Sequence, residues 1–248
     1  MESRVPIQET CIIPSRGKVY SDMEVPEQFT LRAMTTVEEK MRLSGQGIEV
    51  IPKLIQACTV EPEKIDVSKL KMFDIQFLMY KLRTVTYGSD YEIEIRCPHC
   101  GATKRVTINL DEIPVNYLDE EPNLVFGPLP VSGDMVECKA LSAADYAYIA
   151  REAKRIKNKF LNYVGDPEII LTLQSKILKV NGEDLPANMS QKYVETMHMR
   201  DVRYLESKYE DALGNIGLDT DMTEVCDDCG SEFEFTVSTD SDFFRPRY

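Results

Sequence analysis

The residues of this sequence best suited to chemistry are two pairs of cysteines, each pair with two residues between its members. They are Cys97 with Cys100 and Cys226 with Cys229, and a glycine follows each pair. Two intervening residues allow a tight turn to aim both sulfurs at one ion, and the glycine permits a backbone conformation that other residues resist. Four thiolates at about 2.3 Å in a tetrahedron form a closed structural zinc site. The pattern therefore predicts one structural Zn²⁺ bound by these four cysteines.

A closed site of this kind predicts a mechanical role for the metal. Catalytic zinc keeps an open position for water, and four cysteine ligands leave none. The two pairs are separated by 125 residues, and closing so long a loop by chance is entropically unfavourable. We expect the metal to hold two halves of the chain in register, and its removal to loosen them.

Thiol–disulfide exchange is the first alternative, because redox enzymes use the same cysteine spacing. Redox pairs normally open a helix, whereas strand-like segments flank both pairs here. His99 lies between two of the cysteines and could replace one of them as a ligand, but four cysteines make it unnecessary. The other cysteines, Cys11, Cys58 and Cys138, occur singly in apolar or strand-like surroundings and are predicted to be buried thiols.

Other signatures of catalysis are absent from the sequence, which has no Gly-rich phosphate loop, no nucleophile elbow and no His-Glu-x-x-His motif. His198 is predicted to be an ordinary helix residue. Nucleic-acid binding is the second alternative, because Arg96, Lys104 and Arg105 flank the first cysteine pair. However, the second pair is acidic, and no aromatic residues interleave with the bases to stack on nucleotides. The net charge of −13 also argues against affinity for nucleic acid or anionic membranes.

The composition predicts a globular intracellular protein. Hydrophobic residues make up 43% and charged residues 29% of the 248. No apolar run approaches the roughly 18 residues that span a bilayer, and the first residues lack the layout of a signal peptide. Seven cysteines in no disulfide spacing fit a reducing compartment.

The elements that must position the cysteine pairs are short strands alternating with helices. Strands are predicted around the pairs at Tyr91–Arg96, Lys104–Leu110, Thr223–Val225 and Phe233–Val237, and elsewhere at Cys11–Ile13, Lys18–Tyr20 and Val136–Leu141. Capping signatures and apolar periodicity predict helices from Thr35 or Thr36 to about Leu43, over Ile51–Cys58, over Met72–Tyr87, from Ser142 to about Val164, from Asp166-Pro167 to about Val180, and over Gln191–Leu213. We therefore expect a helix-rich α+β fold in which a split four-cysteine zinc ribbon joins the N- and C-terminal halves.

The chain divides into three predicted regions. Residues 1–110 hold an extended N-terminal arm, helices and the first cysteine pair, residues 111–135 form a connecting loop, and residues 136–248 hold further helices, the second pair and a short tail. The order of features in the first region (PSRG, strand, AMTTVEEK, CPHCG) recurs in the last (PVSG, strand, ALSAADYA, CDDCG). Either an ancient duplication or the general frequency of capped helices after strands explains this recurrence.

The succession of motifs over about residues 10–246 resembles the baseplate hub assembly proteins of T-even-type contractile-tailed bacteriophages. The stretches that carry the resemblance are IIPSRGKVY, FTLRAMTTVEEK, KLRTVTYGSDYEI, CPHCG, LPVSGDMVECKALSAADY, VNGED, MHMRDVRYL and CDDCGSEFEF followed by DFFRP. The resemblance implies a non-enzymatic protein of tail morphogenesis, either a chaperone of assembly or a component of the hub that stays. It implies no catalytic residues, and only the four cysteines carry over as site residues.

The partners implied by the resemblance are other baseplate and tail hub proteins, with self-association left open and neither nucleic acid nor membrane involved. The implied location is the host cytoplasm during assembly, with the tail baseplate of the virion left open as a second location. A zinc-ribbon factor that binds nucleic acid or acts in transcription is the alternative function, and a redox enzyme that uses its cysteine pairs is the third.

Overall fold

A computed structural model describes residues 7–21, 23–45, 48–159, 165–237, 239 and 243–244, with residues 187–188 described in their backbone only. The elements up to the first cysteine pair and the strand after it are β1 (Gln8–Ile12), β2 (Gln28–Arg32), α1 (Thr36–Ser44), α2 (Val50–Cys58), β3 (Thr59–Glu61), α3 (Met72–Tyr87), β4 (Asp90–Arg96) and β5 (Thr103–Asn109). The predicted strand at Lys18–Tyr20 is wrong, because residues 14–19 form turns.

The region that was predicted as a connecting loop includes two short strands, β6 (Val115–Asn116) and β7 (Val125–Phe126). The remaining elements are β8 (Val136–Cys138), α4 (Ala143–Lys159), α5 (Pro167–Lys176), β9 (Ile177–Val180), β10 (Glu183–Asp184), α6 (Ala187–Thr196), α7 (Met199–Leu213), β11 (Gly217–Leu218), β12 (Asp221–Val225) and β13 (Glu232–Thr236). The predicted end of the helix at Val164 lies outside the described residues.

Two helix predictions in this part are corrected by the structure. The helix that begins at Pro167 ends at Lys176 rather than near Val180, because the next four residues become β9 and pair with β8. The predicted helix Gln191–Leu213 is two helices, α6 and α7, and the second begins after His198. The imidazole Nδ1 of His198 accepts a hydrogen bond from the N–H of Arg200 at 3.1 Å, so this histidine caps a helix rather than lying inside one.

The strands form small antiparallel sheets, which together with the seven helices of the described residues confirm the predicted mixture of helix and sheet. One sheet has the order β1-β2-β3 and another the order β10-β9-β8-β7. The other strands pair two by two, as β4 with β5, β12 with β13, and β6 with β11. The two hairpins that carry the cysteine pairs are therefore separate sheets.

Apolar side chains collect in two main clusters. The first surrounds α3, whose residues Ile75, Phe77, Leu78 and Leu82 are almost fully buried. The second lies under β7, β8, α5 and α7 and includes Val136, Leu173 and Leu205. Val237, Phe243 and Phe244, from the end of the chain, belong to the first cluster rather than the second. These three residues thus pack into the core of the N-terminal half.

The recurrence seen in the sequence is also present in the contacts. Thr35 and Glu38 form a capping box at the start of α1, in which the N–H of Thr35 donates to the Glu38 carboxylate at 2.8 Å. Ser142 and Asp145 repeat that contact at the start of α4, also at 2.8 Å. In each half, a basic residue three positions before the capping residue forms an ion pair at 2.8 Å with the carboxylate of that half's capping box. The two pairs are Arg32 with Glu38 and Lys139 with Asp145.

A second equivalent contact fixes the Pro-Ser-Gly turns. Asp74, the third residue of α3, accepts hydrogen bonds from the N–H and hydroxyl of Ser15 at 3.0 and 2.6 Å. Asp201, the third residue of α7, accepts hydrogen bonds from the N–H groups of Val131 and Ser132 at 2.7 and 3.1 Å. Both aspartates are buried. The two halves thus share an order of elements and two sets of contacts, which supports the duplication hypothesis.

Candidate metal centre

The first cysteine pair lies in the six-residue turn of the hairpin β4-β5, whose strands pair without a register shift up to Arg96 opposite Thr103. The N–H of Cys97 donates to the carbonyl of Ala102 at 2.9 Å, and the N–H of Gly101 donates to the carbonyl of Cys97 at 3.0 Å. Gly101 has a φ of 78°, a left-handed conformation that a side chain would disfavour. This turn directs both thiols of the pair to one end of the hairpin.

The second pair lies in a turn of the same construction between β12 and β13. The N–H of Cys226 donates to the carbonyl of Ser231 at 3.0 Å, and the N–H of Gly230 donates to the carbonyl of Cys226 at 2.8 Å. Gly230 has a φ of 71°. Both glycines therefore have the conformation that the sequence pattern predicts, and the two turns are near copies of one another.

The structure brings all four predicted sulfurs together, with each within 4.8 Å of every other. Cys97 Sγ lies 3.8 Å from Cys229 Sγ, and Cys100 Sγ lies 3.5 Å from Cys226 Sγ. A tetrahedral ion with sulfur ligands at about 2.3 Å would separate them by about 3.8 Å, whereas a disulfide would hold them at about 2.05 Å. The sulfur separations therefore fit four ligands of one metal ion, and they do not fit disulfides.

An apolar cluster and two ion pairs between the hairpins support this arrangement of the sulfurs. Cys97 and Cys226 are buried in a small apolar cluster with Ile95 and Phe233, whereas the second cysteine of each pair is exposed. Lys104 of the first hairpin forms ion pairs with two acids of the second hairpin, Glu224 at 3.2 Å and Asp227 at 3.1 Å. Such exposed pairs contribute little stability each, but they are direct contacts between the two hairpins.

Local hydrogen bonds shift the pKa values of the two exposed cysteines in opposite directions. The hydroxyl and backbone N–H of Ser231 lower the pKa of Cys229 to about 6. The backbone N–H of Ala102 favours the thiolate of Cys100 in the same way, but hydrogen bonds with neighbouring sulfurs, Cys226 foremost, raise the pKa of Cys100 to about 12. Four thiols this close share their protons, because ionising one makes ionising the next harder. A divalent cation would remove that conflict, since it binds the thiolate form.

The other thiols and histidines have ordinary structural places. Burial raises the pKa of Cys11 and Cys138 to about 12 and that of Cys58 to about 11, which disfavours their nucleophilic thiolate forms. His99 is exposed on the first turn and does not belong to the cluster of four ligand atoms. His198 is the helix cap described above. Both cysteine pairs lie between strands and neither opens a helix, unlike the usual redox arrangement.

Sequence reasoning missed two supports of the site. The first is the contact of Lys104 with Glu224 and Asp227, which are far from it in the chain. The opposite charges beside the two cysteine pairs could have predicted this contact. Arg96, noted only as a base, donates from Nε to the carbonyl of Gly101 at 3.2 Å and so braces the first turn.

The fold and the site together describe a mixed helix and sheet protein whose two halves meet at a cluster of four cysteines. The family model described as T4 bacteriophage base plate protein matches residues 5–245. The chain therefore belongs to this family of phage baseplate proteins. No curated protein and no solved structure gave a match to the chain. None of the helices in the described residues combines the length and the hydropathy that crossing a membrane requires.

Proposed function

We propose that the chain is a non-enzymatic structural or assembly protein of the baseplate hub, and that one Zn²⁺ held by Cys97, Cys100, Cys226 and Cys229 stabilises it. The observation that carries the proposal is the meeting of four thiols from segments 126 to 132 residues apart at separations that suit a tetrahedral ion. Family membership supports the baseplate, and the resemblance of the ordered motifs to hub assembly proteins supports the hub.

In this role the metal supplies cross-linking rather than chemistry. The four cysteines would fill all positions of a tetrahedral ion and leave none for water. Each hairpin extends one half of the chain, so the ion would tie the region 1–110 to the region 136–248 across the connection 111–135. The two apolar clusters support this division, because one is centred on α3 and the other on α5 and α7.

Contacts with other baseplate proteins are a better explanation of the surface than contacts with nucleic acid. Several of the bases that could bind phosphate already have acidic partners: Lys104 contacts Glu224 and Asp227, and Lys157 contacts Asp166 and Glu168. The net charge of −13 opposes a polyanion. We propose that the protein acts in the host cytoplasm during assembly and, as a component rather than a chaperone, would then also lie in the tail of the virion.

Metal analysis of the purified native protein tests the site. We expect about one zinc per chain by elemental mass spectrometry, and loss of most of it in Cys100→Ser. Cys138→Ser is the matched control, since Cys138 is a buried thiol outside the cluster, and it should keep the metal. Absence of metal from the native protein, or its retention in Cys100→Ser at full affinity, would contradict the proposal.

Assembly is tested separately in phage that carry the same two variants. Loss of complete tails with Cys100→Ser, but not with Cys138→Ser, would support a role of the site in the baseplate. Cryo-electron microscopy of tails then distinguishes a component, which leaves density in the hub, from a chaperone, which does not. Normal assembly by a phage that lacks this chain altogether would refute the proposed function.

A further inference from the structure

The strand β1 lies at the edge of the sheet β1-β2-β3, and one of its sides has no backbone partner among the described residues. The N–H of Ile13 donates to the carbonyl of Glu27 at 2.9 Å, and the register of β1 on β2 is regular. The backbone N–H and C=O groups of the odd-numbered residues of β1 therefore point to β2. Backbone groups alternate in direction along a strand, so those of Gln8, Thr10 and Ile12 point to the free side.

The free side of β1 lacks the protection found at the other long strand edges. Edge strands are usually guarded by charge or by shortness. The strands β4, β5, β12 and β13 each carry at least two charged residues, and β7 and β10 are two residues long. The single charge of β1, on Glu9, is bound by Lys81 of α3 at 3.3 Å. The outer face of β1 is therefore uncharged, and its edge suits the addition of a further strand.

A groove of about 470 Å³ runs beside this edge and could receive side chains of an added strand. Its lining includes Phe77, Val115 and Tyr117 next to residues of β1 itself. Tyr117 and Ile12 are each more than a third exposed, although they are large and apolar. The side chains of an added strand would cover them.

We propose that the occupant is a second copy of the chain, which adds its β1 antiparallel to this edge across a two-fold axis at Thr10. In that register Gln8 lies opposite Ile12 of the second copy, and the outward N–H and C=O groups of both strands pair completely. Glu9 lies opposite Cys11 of the second copy, so no like charges face each other. The contact is self-complementary, as a two-fold dimer requires, and it joins two three-stranded sheets into one of six strands. The dimer does not depend on the metal.

Thr10→Pro tests this dimer, because proline removes the outward N–H of Thr10 that the added strand would use. Within the chain that N–H has no described partner, and edge strands tolerate proline at such positions. Thr10→Val is the matched control. It keeps the N–H, and like the proline variant it loses the hydroxyl contact with Thr30 at 2.9 Å.

Sedimentation velocity over a range of concentrations gives the readout. We expect wild type and Thr10→Val to dimerise. We expect Thr10→Pro to raise the dimer dissociation constant at least about tenfold, because the two-fold axis passes at Thr10 and the substitution removes one hydrogen bond from each copy. A wild type that stays monomeric at all concentrations overturns the proposal, and so does a dimer that Thr10→Pro leaves intact.

If Thr10→Pro fails to fold, amide hydrogen exchange of the wild type answers the same question. Protection at Gln8, Thr10 and Ile12 that rises with protein concentration supports the dimer, and protection that is independent of concentration refutes it.

Discussion

Truncation of one aromatic side chain far from the cysteines should weaken metal binding. Phe243 is 1% exposed and packs against the rings of Tyr80, Tyr91 and Phe244 at centroid distances of 5.0 to 5.2 Å. The hydroxyl of Tyr80 also donates to the carbonyl of Val237 at 3.1 Å. These contacts anchor the segment that follows β13 to α3. Phe243→Ala removes the centre of this anchor.

The expected size of the effect follows from chain length. Through the covalent chain alone, Cys100 and Cys226 are 126 positions apart. With Val237 anchored at Tyr80, the connection runs 20 residues from Tyr80 to Cys100 and 11 from Cys226 to Val237, or about 31 in all. Effective concentration falls with about the −3/2 power of length, so a fourfold longer connection lowers zinc affinity up to about eightfold, or about 1.2 kcal/mol. The pairing of β6 with β11 and the ion pairs between the hairpins also hold the two cysteine pairs near each other, and both remain in Phe243→Ala, so eightfold is an upper limit.

Competition with the chromogenic chelator 4-(2-pyridylazo)resorcinol measures the affinity. The control is Phe126→Ala, an equal truncation in the second apolar cluster, which should leave the affinity unchanged. Since truncating a buried phenylalanine costs about 3–5 kcal/mol, circular dichroism must show that the variant is folded, and Phe243→Leu replaces it otherwise. Unchanged affinity in a folded Phe243→Ala protein would refute the reasoning, because the anchor would then not hold the hairpins together.

Three further predictions concern stability. Burial raises the pKa of Asp74 to about 6, so the protonated carboxyl contributes stability that is complete below the unfolded pKa of about 3.8 and is lost as pH rises through 6. At saturating zinc, the free energy of unfolding of wild type relative to Asp74→Asn should be about 1 kcal/mol greater at pH 5 than at pH 7.5. Parallel pH profiles of the two proteins in urea unfolding would contradict this. Thr35→Ala and Ser142→Ala should each lower the free energy of unfolding by about 1 kcal/mol, since both remove equivalent helix caps; a change in only one of them would show that the two caps are not equivalent. Lys104→Met should lower stability only slightly, and the loss should be smaller in high salt. Equal losses at low and high salt would rule out an ionic contribution.

The cysteine turns could be predicted from the sequence because everything that shapes them is local. The spacing of Cys97 and Cys100, the glycine that follows and the alternating strands on either side all lie within twenty residues. The same holds for the capped helices at Thr35 and Ser142. In each case the side chains that satisfy the backbone groups are close neighbours in the chain.

The errors arose where a distant segment decided the local structure. No glycine or proline interrupts residues 191–213, so their pattern indicates a single helix. In the fold, Asp201 accepts hydrogen bonds from the turn at Val131 and Ser132, which fixes where α7 begins. Likewise Ile177 and Val180 pair with β8 and become a strand, although they continue a helical pattern. Contacts between residues 39 to 70 positions apart determine both outcomes.

The two halves are alike, yet the end of the chain makes them depend on each other. Each half ends in a hairpin with two thiols, and two thiolates are only half of a tetrahedral site. The second hairpin is held near the first by the pairing of β11 with β6 and by Phe243, whose carbonyl accepts a hydrogen bond from Arg83 Nε of α3 at 3.2 Å. The complete site therefore requires the fold of both halves and the contacts of Phe243. In the proposed role, zinc would be bound tightly only by a chain that is fully folded, so metal binding would separate assembly-competent subunits from incomplete ones.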